Sequence, residues 1–307
     1  MLARIALWCS LLWLLVKVSH SLPADTGLVR RDADFESVRT RLKDDHSGKG
    51  GDPKEKYWHE STFHPHYDGR FAEKTIAYAD RRTHLSNLIQ SYLATMDDLG
   101  AVTWIMHGTL LGWWWNRKIM PWDSDLDVQI DESTIHFLAA YYNMTTYHYK
   151  TEQLPEGKDY MLEINPRYIH SATDDRLNVI DARWIDMDTG LFIDITTVWK
   201  DKENPGSGKL NCKDRHHYLE KDLFPLRESY FENTKVKVPF AYTEVLVEEY
   251  GQKSITKTEY ENHKFNPDTM EWEPLRGANV GGAAPGPGVR PGKNRRPGSG
   301  RRRPPPR

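Results

Sequence analysis

His107-Gly108-Thr109-Leu110-Leu111-Gly112, followed by Pro121-Trp122-Asp123-Ser124-Asp125-Leu126-Asp127-Val128, is the stretch on which the fold turns. Ala101 to Met106, just upstream, reads as a short buried strand, and Leu110 to Asn116 as a short helix. Gly108-Thr109 is then a strand-to-helix turn, which offers free backbone N–H groups to a phosphate at a helix N-terminus. Leu126 to Ile130 reads as a second strand. Asp123, Asp125 and Asp127 are spaced by two, so they share one face where the chain is extended. Carboxylates that close repel and do not stay ionised without compensation. A divalent cation supplies it, and hard oxygen ligands suit Mg²⁺ or Mn²⁺, which bind a few carboxylates plus substrate phosphates. A calcium EF-hand loop would need a glycine after the third acid position, whereas Asp127 is followed by Val128-Gln129-Ile130.

Working outward, Leu191-Phe192-Ile193-Asp194-Ile195-Thr196 places its isoleucines on one face and Phe192, Asp194 and Thr196 on the other. An acid inside so apolar a strand is costly unless it is paired or ligated. Asp125, Asp127 and Asp194, with Asp123 as a further ligand, are therefore the candidate metal ligands. Val179 to Ile185 reads as the strand before it, joined through an Asp186–Gly190 hairpin. Leu85, Leu88, Ile89, Tyr92, Met96 and Leu99 recur at helical spacing, with Gly100 as the C-cap, and Ser133 to Tyr142 reads as another helix. Helices mixed with strands imply an α/β domain around a mixed (α+β) sheet. A strand, Gly-Thr turn, helix, Asp-x-Asp and later strand acid is the arrangement of nucleotidyltransferase-like folds.

Other residues carry competing readings. Arg183 pairs with Asp181 two positions away or reaches a donor phosphate, the pair being preferred. Arg227 clamps a phosphate through its planar fork or makes a surface ion pair. His216 and His217 are adjacent, so at most one faces a site. Trp113 to Trp115 read as core before they read as a stacking platform.

The 307 residues are 38% hydrophobic, and a formal charge of −2 conceals an asymmetry. Residues 1–31 carry +3 and residues 276–307 carry +9, which leaves 32–275 at −14. So acidic a body argues against a nucleic-acid-binding core, which needs a basic face. Residues 1–24, with Arg4 before an apolar run from Ile5 to Val16, read as a signal peptide or a short signal anchor. Either reading directs the body to the secretory pathway, as a protein of the Golgi lumen or membrane or a secreted form. Residues 25–56 read as a linker or stem, 57–275 as one domain, and 276–307 as a disordered basic Gly/Pro/Arg tail. With Cys9 removed in the leader, Cys212 stands alone, which excludes a disulfide framework.

The quoted motifs resemble the LicD family, which includes bacterial phosphocholine transferases and the fukutin-type proteins. The likeness continues through Asn178–Arg183, Gly190–Thr196, Leu223–Arg227, Val238-Pro239 and Glu249-Tyr250-Gly251. Within the family the chain is most similar to fungal proteins required for mannosylphosphate transfer to cell-wall glycans. The resemblance implies a nucleotidyltransferase-like fold and transfer of a phosphate-linked group from a nucleotide-activated donor to a sugar hydroxyl. It implies Asp125 and Asp127 as metal-binding acids, Asp194 as a further ligand or as base, and Gly108 and Thr109 against the donor phosphates. The implied donor is a nucleotide sugar, GDP-mannose, and the acceptor a mannosylated glycan or glycoprotein. A non-catalytic role beside another Golgi glycosyltransferase is the alternative that the family also allows.

Overall fold

The computed structural model describes residues 29–32, 45–151, 154–171 and 174–277. The expected leader, part of the expected linker and positions 278–307 of the expected tail lie outside the described residues.

In chain order the strands are β1 (Val29–Asp32), β2 (Thr103–Ile105), β3 (Leu126–Asp131), β4 (Thr145–Thr151), β5 (Leu154–Ile164), β6 (Ala182–Asp186) and β7 (Phe192–Lys200). They continue with β8 (Lys209–Asn211), β9 (His217–Leu219), β10 (Arg227–Phe231), β11 (Thr234–Val238), β12 (Glu259–Tyr260), β13 (His263–Asn266) and β14 (Glu271–Pro274). The helices are α1 (Tyr78–Leu99), α2 (His107–Asn116), α3 (Glu132–Tyr141), α4 (Glu220–Leu223) and α5 (Tyr242–Tyr250). The main sheet has the order β1-β4-β5-β6-β7-β3-β2, with β8 on β7 and β9 on β8. Its β3–β7 pair is parallel, while the neighbouring pairs are antiparallel. The mixed α/β fold expected from the motif order is therefore the observed one.

Local chemistry explains the element ends. Gly100 ends α1 at φ 67, a left-handed conformation that costs a glycine little. Asp131 caps α3 by accepting the Thr134 N–H at 2.7 Å. The β6–β7 hairpin turns at Gly190, with φ 76, while the Asp186 carboxylate accepts the N–H groups of Asp188 and Thr189.

The sheet has two differently filled faces. On one, α1 lays Leu85, Leu88, Ile89 and Tyr92 against Trp184, Ile193 and Ile195, all buried. On the other, Met161, Ile185 and Phe192 stand in register across β5, β6 and β7. Trp58 and Phe71 cover that row from a segment without long secondary structure. Residues 45–56, expected within the linker, are fastened to the body. His46 N–H donates to the Gly69 carbonyl at 2.9 Å, Gly48 N–H to Glu60 at 2.7 Å, and Asn178 Nδ2 to Glu55 at 2.9 Å. β1, also in the expected linker, pairs antiparallel with β4.

Candidate functional site

Two residues along the strands from the Met161–Ile185–Phe192 row, the same face turns charged. Glu163, Arg183, Asp194 and Asp127 are successive register partners across β5, β6, β7 and β3. Direct partners point to one side of a sheet, so their side chains form a continuous polar row. Neighbours satisfy most of it. Glu163 receives Arg70 at 2.5 Å and the Tyr57 hydroxyl at 2.8 Å. Arg183 donates from Nε to Asp194 Oδ1 and from Nη2 to Glu60 Oε1, each at 2.8 Å, and its guanidinium lies 3.7 Å from the centre of the Phe192 ring. Its expected pairing with Asp181 is not observed. Asp181 lies before β6 and meets Lys213 instead, at 2.7 Å.

Asp127 ends the row without such a partner. Among the described residues, no donor hydrogen-bonds its carboxylate or that of Asp123. Burial and the nearby Asp125 push Asp127 well above the usual carboxylate range, with His107 opposing and Asp194 and Glu249 adding to the rise. Burial and Asp125 do the same to Asp123, against Arg81. For Asp194, burial raises the carboxyl and Arg183 opposes it. A site in which half-buried acids repel one another without donors is one that a cation would complete.

The three clustered aspartates do not all lie on a strand, contrary to the period-two reading. β3 begins at Leu126, and Asp123 and Asp125 lie before it, where the Asp123 N–H bonds the Met120 carbonyl at 3.0 Å. Asp125 is the most open, its side chain 45% exposed, with His66 Nε2 at 3.7 Å from Oδ2. His66 is itself held by Ser124 Oγ at 2.7 Å from Nδ1.

α2 is fastened to this acid strand. The Met106 N–H bonds the Asp127 carbonyl at 3.1 Å, and the chain then enters the helix through His107 at φ 53. A non-glycine residue in that region costs about 1–3 kcal/mol, which the surroundings must offset. Burial pulls the His107 imidazole down. The Glu249 hydrogen bond and the carboxylates of Glu249, Asp127 and Asp214 outweigh it and raise the group to about 9. Thr109 was expected to face donor phosphates. It is buried, and its Oγ accepts the Asp127 N–H at 2.8 Å, so it positions the acid strand. Gly108 lies under the Asp123 carboxylate: a Cβ there would sit 3.8 Å from Oδ2.

Arg227 is exposed on the β10–β11 hairpin, its guanidinium 4.2 Å from the centre of the Phe240 ring and 5.6 Å from that of Tyr242. No contact with the acids is among its described ones. Trp113 and Trp115 are buried, bonding Ser229 and the Ser254 carbonyl, as a core reading expects. His216 and His217 diverge as adjacent extended residues should: His216 stands 4.7 Å from the His107 ring, and His217 bonds Asn211. Sequence reasoning missed Glu60 and His66, which lie in a segment with no periodicity, and Asp214, whose neighbours it weighed without it.

A mixed sheet whose parallel pair brings two acids side by side, next to a Gly-Thr helix turn, defines a nucleotidyltransferase-like domain. Residues 100–241 match the family model described as LicD/FKTN/FKRP, nucleotidyltransferase domain. Over 135 residues it is 32% identical to Mannosyltransferase regulator 4 of Saccharomyces cerevisiae, a match covering 43% of this chain and 11% of that protein. Over 113 residues it is 33% identical to Mannosyltransferase regulator 14 of the same yeast, covering 36% of this chain and 12% of that protein. The chain thus spans about a tenth of the length of these curated relatives.

Proposed function

We propose that this protein transfers a sugar-phosphate, mannose-1-phosphate from GDP-mannose, to mannosyl hydroxyls of glycans in the secretory pathway. The observation that carries the reading is Asp127 in register with Asp194 across a parallel strand pair, with Asp125 beside it. Asp125 and Asp127 fit Mg²⁺ or Mn²⁺, since such ions take one or two carboxylates together with substrate phosphates. Asp123 is a further ligand or an outer acid. When bound, the ion neutralises charge on the donor diphosphate and orients it.

The chain's own residues do the rest. The acceptor oxygen attacks the sugar-bearing phosphorus, the pyrophosphate bond breaks, and the nucleoside monophosphate leaves. The acceptor proton passes to Asp194 Oδ2 or to water, because Arg183 already occupies Asp194 Oδ1. Arg183 holds Asp194 in place, and Thr109 holds the backbone of Asp127. The apolar run near the N-terminus supports a lumenal address. No helix of the described residues is long and apolar enough to cross a membrane.

A second reading has its own support. Both yeast relatives are named as regulators, which favours a partner that binds donor or acceptor beside a separate glycosyltransferase. One experiment separates the two: the phosphate-bearing glycan fraction in cells lacking the gene, rescued with wild type or with Asp125→Asn/Asp127→Asn at equal level. Rescue by the wild type alone supports transfer. Full rescue by the double variant makes the protein a regulator.

A further inference from the structure

We infer that His107, Asp214 and His216 form a binding site for a Zn²⁺-type transition-metal cation, next to the acid set and distinct from it. The inference stands independently of the transferase reading. One ligand atom from each residue lies within 4.8 Å of the others. Asp214 Oδ2 is 3.6 Å from His107 Nε2 and 3.5 Å from His216 Nε2. These separations exceed a good hydrogen bond. They match a four-coordinate metal: bonds of about 2.0–2.1 Å at tetrahedral angles set ligand atoms about 3.3–3.4 Å apart.

A second observation is independent of the spacing. His107 is buried, its side chain 10% exposed, and among the described residues its Nε2 has no hydrogen-bond partner. Its other nitrogen, Nδ1, is held by Glu249 Oε1 at 2.7 Å. A metal-bound histidine almost always gives its second ring nitrogen to a carboxylate or carbonyl, which fixes the tautomer and aims the lone pair. Glu249 holds the ring in that manner, and Nε2 is left directed at Asp214 and His216. Two imidazoles with one carboxylate select zinc and its neighbours over Mg²⁺ or Ca²⁺, which prefer oxygen alone.

The three ligands come from the start of α2 and from the turn between β8 and β9, and the supporting acid from α5. A bound ion would tie these elements together at the point where the chain leaves Asp127 for α2. The ligands lie at 107, 214 and 216, and no short metal-binding spacing joins the first to the others.

The test is a Co²⁺ titration of the purified full chain after chelator treatment, with Zn²⁺ stoichiometry measured by elemental mass spectrometry. One equivalent should bind, with the intense visible bands of tetrahedral cobalt. His216→Gln, whose native side chain is 26% exposed, and Asp214→Asn should each lose the equivalent with unchanged circular dichroism. Glu249→Gln should weaken binding about 10–100-fold, the usual cost of removing an outer-sphere partner. Asp125→Asn/Asp127→Asn should keep it. The inference is overturned if wild type binds no Co²⁺ or Zn²⁺. It is equally overturned if the equivalent survives both His216→Gln and Asp214→Asn, or leaves only with the Asp125/Asp127 pair.

Discussion

Arg183 joins the apolar packing of the second sheet face to its charged row. It is 3% exposed, lies on Phe192 and Trp58, and holds Asp194 and Glu60 at once. Arg183→Met would keep much of the packing but leave Asp194 without its cation and Glu60 with Lys56 alone. Removing one side of a buried pair costs about 3–5 kcal/mol, and the partial exposure of both acids puts the loss near the lower end. The urea midpoint should fall accordingly. Arg183→Lys should not restore it, since a single ammonium cannot match the two-sided fork. Asp181 supplies a pH prediction. Burial pushes its carboxyl up to about 6, against Lys213 and the Thr197 N–H. The folded group keeps its proton where the unfolded one has already lost it, so stability falls as pH rises from about 4 to about 6. It is level above that. The shift corresponds to about 3 kcal/mol. Asp123, Asp127 and Asp194 are raised too and act with the same sign. The measurement is therefore the difference in unfolding free energy between wild type and Asp181→Asn across that range, which should shrink toward zero at the acid end.

At the scale of elements, the β6–β7 hairpin sets the register that faces Asp194 with Arg183, and the parallel β3–β7 pairing places Asp127 on its other side. Its turn depends on Gly190. A Cβ there would lie 2.6 Å from Ala72 Cβ and 2.7 Å from the Asp68 carbonyl, at a φ that side chains avoid. Gly190→Ala should cost about 1–3 kcal/mol. Thermal unfolding should report a fall of about 5 °C, since 1 kcal/mol moves a chain of this size by about 2–4 °C. The hairpin, the α1 stripe with its glycine cap, and the alternation that turns Asp194 away from the isoleucines were all readable from local pattern. The acid cluster was read one step too regularly. Pro121-Trp122 turn and Asp123 to Asp125 lie outside the strand that starts at Leu126, and period-two logic applies only where a chain is paired as a strand.

Across the whole molecule, residues 45–77 serve as a cover for the second sheet face. They bring Trp58 and Phe71 onto Met161, Ile185 and Phe192, and place Glu60 and His66 beside the acids. The matched family segment begins at residue 100, beyond this cover. A chain beginning at residue 78 would expose the apolar row and leave Arg183 short of Glu60. It should show no cooperative transition by calorimetry and should aggregate, because three adjacent strands would present an uncovered hydrophobic face. A sharp, reversible transition close to that of the full chain would show that the cover is dispensable.

What the sequence determined alone was carried by short-range rules: the helical and alternating periods, the Gly100 and Gly190 turns, and the alternation that sets Asp194 apart from the isoleucines of its strand. These follow from the residues within a few positions of one another, where sterics and hydrogen bonding act directly. Tertiary structure alone decided which charge meets which: Arg183 with Asp194 and Glu60, Asp181 with Lys213, and His107 with Asp214, His216 and Glu249. It also turned Thr109 toward the Asp127 backbone and placed Arg227 on a surface hairpin. Such pairings join positions up to 142 residues apart, and no local period encodes them. They are fixed only when strands take their register and buried charges must find partners or bear the cost of desolvation.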